Sequence, residues 1–299
     1  MTIQEIKRES LRNNFLRLSL LVKFIYYCIN NIFTSNPSPY GLDDLLILSY
    51  SFLSVNNSLY ITLDELKNIK KNLNPKLEIV ISLNKIMHNK DLDYLEHVLI
   101  ELANLHIKKI LFYDLSVANI TKRLNLDLDL VVAQDHLNAS INSHKFYYNR
   151  GIKYSLITND ITIDEILDIN TNSNMNLMLT IYGYLPIFYS RRYLLSNYFE
   201  YLNQEKTNNN YYLASDNNYY PIIEEKEGTT IYTPSPLNLT NYKDKLSKLS
   251  YVIFNSNYLP HDKFHQDLDN YLSDNPSEDN NNYTGFANIK TIYKVKNNE

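Results

Sequence analysis

The sequence predicts an α/β fold: a (β/α)8, TIM-barrel-like domain with a polar hairpin insertion before the last barrel unit. Three observations predict it. About eight short apolar runs alternate with stretches of helical periodicity, the count such a barrel requires. No glycine-rich phosphate loop follows any early strand, as it would in an open doubly wound sheet, the competing architecture. Polar residues fall at the ends of several predicted strands, and in a barrel those ends converge on one face. With 299 residues the chain can bury one barrel-sized core. The barrel is assigned to 1–203 and 234–299, with the insertion at 204–233.

Taken in order, Leu16 to Val22 is expected as the first strand, followed by a helix to Phe33 and a proline-containing loop, Ser35 to Tyr40. Phe15 to Ile32 is apolar but broken by Arg17, Lys23, Asn30 and Asn31, which fits a buried element better than a membrane span. Leu45 to Leu48 is the second strand, and Thr62 with Glu65 opens a helix in capping-box fashion. Leu77 to Leu83 is the third strand. Asp91 to Leu105 is a helix with its stripe at Leu92, Leu95, Val98, Leu99 and Leu102. Strand four, Lys109 to Tyr113, ends in Asp114. Strand five, Leu128 to Ala133, delivers Gln134, Asp135 and His136 before a helix from Ala139 to Tyr148, closed by Gly151. Strand six, Lys153 to Ile157, runs into Thr158, Asn159 and Asp160, and Thr162 to Ile169 is a capped helix.

The stretch from Leu177 to Asn203 organises the rest. Leu177 to Tyr182 reads as a strand packed on both faces, ending at Gly183, one of only 5 glycines. Glycine there allows a positive φ or a close backbone approach. Tyr184 to Pro186 is expected to turn the chain. Ser190, Arg191 and Arg192 then supply a hydroxyl and two guanidinium forks before an apolar helical face resumes at Tyr193. Asn208 to Asn210 and Asn217–Asn218 read as loop tips, with short strands around Tyr211–Leu213, Tyr219–Ile223 and Thr230–Tyr232. Tyr251 to Phe254 is strand eight, Asp262 to Tyr271 the last helix, Asp274 to Asn282 a solvated loop, and Ile289 to Val295 a closing strand.

Composition narrows the function classes. Hydrophobic residues at 44% and charged residues at 21% place the chain among folded globular proteins. The single cysteine, Cys28, excludes an internal disulfide framework and any all-cysteine metal site, and suits a reducing, cytoplasmic setting. The N-terminus, MTIQEIKRES, has no apolar leader followed by a small-residue cleavage site, so no secretion signal is expected. A net charge of -4 gives no global attraction for nucleic acid, so any RNA contact needs a local basic patch or a partner. The 27 tyrosines suit base stacking, but equally serve as core and surface filler in an Asn-, Ile- and Lys-rich composition.

Asn84, Asp114, Gln134 and Asp160 stand at predicted strand ends. They either converge as a polar pocket or cap helices and turns, tasks for which Asn and Asp are equally suited. Arg191 and Arg192, with Ser190, either clamp a carboxylate or phosphate or serve structural ion pairs. His136 beside Asp135 has the look of a base and its orienting acid, without a nucleophile that can be placed against it. His261 and His265 have metal-ligand spacing on a helix but no third ligand, and no metal site is expected.

The segments SLNKIMHNKDLDYLE (Ser82 to Glu96), FYDLSV (Phe112 to Val117), GIKYSLITNDITIDEIL (Gly151 to Leu167), IYGYLPIFYSRRYLLSNYF (Ile181 to Phe199) and TGFANIKTIYKVK (Thr284 to Lys296) resemble the collagenase-like peptidase family U-32. The resemblance runs from Leu45 to Lys296. It implies a TIM-barrel-like fold and, for many bacterial members, a part in prephenate-dependent hydroxylation of the tRNA wobble uridine. Catalytically complete members carry a His before the glycine and several cysteines thought to hold an iron–sulfur cluster. Here Tyr182 takes the His position, and no cysteine follows. Tyr182 therefore joins the pocket candidates, and no cluster is expected in this chain. The sequence is most similar to short, cysteine-poor members that accompany a longer cysteine-bearing paralogue. An accessory role in tRNA modification, with tRNA reached through that partner and no membrane contact, is the expected function. The alternative is a peptidase of the family's hydrolase type.

Overall fold

The structure, a computed structural model, describes residues 29–31, 45–72, 78–134, 136–207, 210–273 and 283–290. A mostly parallel sheet curls around the core. Its strands are β1 (Ile29–Asn31), β2 (Leu45–Ser49), β3 (Glu78–Leu83), β4 (Lys109–Phe112), β5 (Asp129–Val132), β6 (Tyr154–Leu156), β7 (Asn176–Gly183) and β13 (Tyr251–Phe254). Strands β2 to β7 pair in order and in parallel, β13 lies parallel beside β7, and β1 bridges β13 and β2. Because β6 also pairs with β7, the sheet returns on itself in the manner of a TIM-like barrel.

The alternation of side chains builds two cores. Residues Leu46, Ile81, Ile110, Val132 and Leu179 point outward under helices, in the larger cluster. Leu45, Val80, Leu111, Val131, Met178 and Ile253 point inward and fill the barrel. Strands buried on both faces need apolar residues at every position, which explains the continuous runs in the sequence. At the N-terminal end of the interior, Lys109 Nζ meets Glu78 at 2.6 Å and lies over the Tyr154 ring.

Helices α1 (Leu63–Asn72), α2 (Leu92–Asn104), α3 (Leu115–Arg123), α4 (Ile141–Tyr148) and α5 (Ile163–Asn172) follow β2 to β6 in turn. Thr62 and Glu65 form a reciprocal cap on α1, with Thr62 N–H donating to Glu65 at 2.8 Å, and Thr162 and Glu165 do the same on α5. Helix α3, which the hydrophobic pattern leaves unmarked, buries only Val117, Ile120 and Thr121 and starts at its Asp114 cap.

A second, antiparallel sheet stands beside the barrel in the order β8 (Pro186–Ser190), β11 (Gly228–Tyr232), β10 (Asn218–Glu225), β9 (Tyr211–Ser215). Helix α6 (Leu194–Tyr201) packs on it through Phe199, whose ring is 5.1 Å from Tyr211. The chain then adds β12 (Leu237–Asn238) to the end of β7, a short helix α7 (Lys243–Leu246), and α8 (His261–Leu272) after β13.

Three expectations need correction. The helix expected to run to Phe33 is replaced at Ile29–Asn31 by strand β1, which is antiparallel to both neighbours, because the facing edges of β2 and β13 each need backbone partners. Pro186 begins a strand where a turn was expected. Proline is tolerated at the start of an edge strand, and β8 is such an edge. Ile289 and Lys290 are not in a strand, and 291–295 lie outside the described residues. So do Leu16 to Val22, Cys28, Asp135, Asn208, Asn209 and Asp274 to Asn282.

Candidate functional site

A cavity of about 230 Å³ opens at the C-terminal ends of the barrel strands, the face on which barrel enzymes place their chemistry. Its floor is aliphatic: Ile47, Leu111, Leu156 and Ile253. One residue further along the inward rows the side chains turn polar, giving Ser49, Ser82, Thr158, Thr180 and Asn255. Pro186 and Ile187 of the second sheet and Tyr283 and Phe286 of the C-terminal stretch complete the rim. Among the described residues, no lysine or arginine lines it.

Gly183 makes the upper wall possible. Its φ is +112°, and a Cβ there would lie 2.2 Å from the Asn255 carbonyl oxygen. Only glycine lets the end of β7 meet the end of β13 this closely. Asn255 then donates from Nδ2 to the Tyr184 carbonyl at 3.2 Å and accepts from the Asn257 N–H at 3.0 Å.

The predicted site residues divide. Asn84 lines the cavity, but both ends of its amide hold Val55, accepting from its N–H at 2.9 Å and donating to its carbonyl at 3.0 Å. Asp160 lines the cavity and is bonded to Nδ1 of His136, which lines it too. The orienting acid of His136 thus comes from the end of strand six. Asp114 is a cap: Oδ1 accepts from the Ser116 N–H at 2.9 Å, and Oδ2 from the Met87 N–H at 3.0 Å. Gln134 bridges the Tyr113 carbonyl and the Tyr147 hydroxyl. Tyr182 is buried in the outer core, where its hydroxyl donates to Asp267 and its ring stacks 5.5 Å from Phe254.

Ser190, Arg191 and Arg192 lie at the end of β8 and outside the cavity. Arg191 donates to the Ile86 carbonyl at 2.9 Å, Ser190 accepts from the Arg192 N–H at 3.2 Å, and Arg192 is exposed. The pair sits where a large ligand or a partner surface can reach it. His265 falls on α8, but among the described residues no group of three or more His, Cys, Asp and Glu is placed to hold a metal ion.

The second sheet is fixed over the mouth by polar contacts. Lys85, buried at the end of β3, meets Glu227 at 2.9 Å and Asp91 at 3.5 Å and donates to the Phe52 carbonyl. Glu225 accepts from the hydroxyls of Tyr60 at 2.6 Å and Tyr258 at 3.0 Å. Burial and this carboxylate push both phenol pKa values up, so these hydroxyls remain donors throughout the physiological range.

The model of peptidase family U32 matches residues 48–262, a span that takes in β3 to β13 and every cavity strand but the start of β2. The chain belongs to peptidase family U32. A curated relative, tRNA hydroxylation protein P2 of Bacillus subtilis (strain 168), is 24% identical over 177 residues, covering 56% of this chain and 57% of that protein. The match therefore spans little more than half the relative's length. No solved structure matches.

In this U32 chain the residues that sequence reasoning missed are the inward hydroxyls Ser49, Ser82 and Thr180. Their signal is parity: each stands two residues after an inward apolar residue of its strand, Ile47, Val80 and Met178. The relevant strands are apolar on both faces, so their inward row shows in the sequence only once one anchor is known.

Proposed function

We propose that this U32 protein is a non-catalytic or accessory subunit in prephenate-dependent 5-hydroxylation of the tRNA wobble uridine. It acts in the cytoplasm beside a longer, cysteine-bearing U32 paralogue. Family membership and the name of the B. subtilis relative support the tRNA assignment. The observation that carries the accessory role is the chemistry of the cavity. Its only acid–base pair of opposite type is His136 with Asp160, and no lysine or arginine lines it among the described residues. Prephenate is a dicarboxylate, and burying carboxylates without cationic partners is costly. We therefore assign prephenate to the partner. With Cys28 its sole thiol, the chain lacks the ligands for an iron–sulfur cluster, and that chemistry too belongs to the partner.

Arg191 and Arg192 are this chain's own contribution. They stand outside the cavity, so they suit phosphate or carboxylate groups on a macromolecule, and bidentate recognition requires the guanidinium fork. Changing both to lysine keeps the charge and removes the fork. In a strain deleted for this gene, Arg191→Lys with Arg192→Lys is expected to fold and yet restore less 5-hydroxyuridine than the wild type, measured by mass spectrometry of bulk tRNA nucleosides. Full restoration by the double variant removes the arginines from the proposal. No loss on deleting the gene removes the function. The peptidase reading rests on the oriented His136, against which no hydroxyl or thiol nucleophile is placed among the described residues.

A further inference from the structure

We propose that the barrel mouth of this chain binds a small, uncharged, planar ring with hydrogen-bonding atoms on opposite edges. Three hydroxyls carry the inference. Ser49, Ser82 and Thr180 are only 7%, 3% and 8% exposed, all line the cavity, and none of the three hydroxyls has a hydrogen-bond partner among the described residues. These hydroxyls open onto the cavity instead of being sealed in the core, so both their donor and their acceptor capacity is available to whatever occupies it. Three on one wall-to-wall cavity mark a binding surface. Several other polar groups of the mouth are committed within the fold: Asn84 to Val55, Thr158 to the Asp160 N–H, and Asn255 to Tyr184 and Asn257.

Their placement sets the shape of the ligand. Ser49 and Ser82 are register partners on adjacent parallel strands, so their backbones are about 4.8 Å apart. Thr180 lies on β7, four strands from β3 in either direction around the barrel, and so on the opposite wall. Between them the surface is aliphatic, from Ile47, Leu111, Leu156 and Ile253. A ligand that fits has an apolar face for these side chains and polar atoms at two opposed edges. The volume of about 230 Å³ lies below the roughly 300–1,000 Å³ of pockets for drug-sized molecules, which limits the ligand to about one ring. Its charge is limited too, since Nδ1 of His136 is taken by Asp160 and no lysine or arginine reaches the cavity among the described residues.

Two sources share this chemistry: a nucleobase such as uracil, and an uncharged phenolic ring such as hydroquinone. The inference goes beyond the tRNA role and is tested without it, by isothermal titration and ligand-observed NMR on the purified full chain. Uracil, hydroquinone and prephenate are the probes. At least one neutral ring is expected to bind, with prephenate at least about tenfold weaker. Uracil alone identifies a nucleobase site, and hydroquinone alone a phenolic one.

Ser82→Ala and Thr180→Val, made singly, are each expected to weaken the ring about tenfold while leaving the thermal midpoint unchanged or higher, because each removes an unpartnered polar group. Thr180→Ser restores a hydroxyl and is expected to bind like the wild type. Failure of both neutral rings to bind, prephenate binding as tightly as they do, or unchanged affinity in both hydroxyl-less variants overturns the proposal. Those results leave the accessory role intact, since that role is read from tRNA nucleosides.

Discussion

At the scale of single residues, the polar groups at strand ends show why a side chain's role is harder to read than its position. Asn84, Asp114, Gln134 and Asp160 all stand at or just beyond strand ends, as their sequence context indicates. Asp114 spends its carboxylate on two backbone N–H groups, whereas Asp160 holds an imidazole at the cavity rim. An Asp side chain satisfies a helix start and a pocket wall with the same acceptor oxygens, so the residue type does not separate them. Gly183 was legible in kind, because a lone glycine at a strand end has few uses. The structure supplies the use, a backbone contact with Asn255. Gly183→Ala places a methyl 2.2 Å from that carbonyl oxygen at a φ of +112° and is expected to cost about 3 kcal/mol of stability, measured by urea unfolding. A loss below about 0.5 kcal/mol would show that the two strand ends separate easily.

At the scale of elements, the helices announced by caps and stripes appear where expected, whereas α3, which the hydrophobic pattern leaves unmarked, shows only in the structure. Helix α2 buries Leu95, Val98, Leu99 and Leu102 in one row, a pattern visible in the sequence. Helix α6 shows how an element can be held by one polar residue. Glu224 of β10 accepts from both the N–H and the hydroxyl of Ser196 in the first turn of α6, and pairs with Lys206 at 2.6 Å. Burial alone would raise its pKa, but the Lys206 ammonium and the Ser196 bonds outweigh burial and hold it down at about 2. A carboxyl whose folded pKa lies below its unfolded value stabilises the fold above the unfolded value. That contribution is lost as pH falls through the window between about 4.5 and about 2. The attachment of α6 is therefore expected to weaken across this window, seen as a fall in amide protection factors, exchange rates taken relative to the intrinsic rate at each pH, in 194–201. Glu224→Gln should show that lower protection already at pH 7 and little further change on acidification. An identical pH profile in wild type and variant would assign the effect to another acid.

At the scale of the whole molecule, the curled sheet was legible because six parallel strands, each followed by an amphipathic or capped segment, leave few other topologies. What was not legible is how the sheet meets its own beginning. The closing strand is Ile29–Asn31, a three-residue piece too short and too polar to show period-two alternation, and it runs against the direction of both neighbours. Register makes its role clear: Asn30 faces Ile253 of β13 on one side and Leu45 of β2 on the other. Without it, the outer edges of β2 and β13 lose their backbone partners, although both strands are almost wholly buried. Unpaired edges on buried strands carry two penalties, unsatisfied backbone groups and an open template for association. Deleting residues 1–44 is therefore expected to give a chain that elutes as soluble aggregate on size exclusion and shows no cooperative thermal transition by circular dichroism. A monomeric truncated chain with a sharp transition would mean that the remaining strands hold the sheet in its curled form on their own.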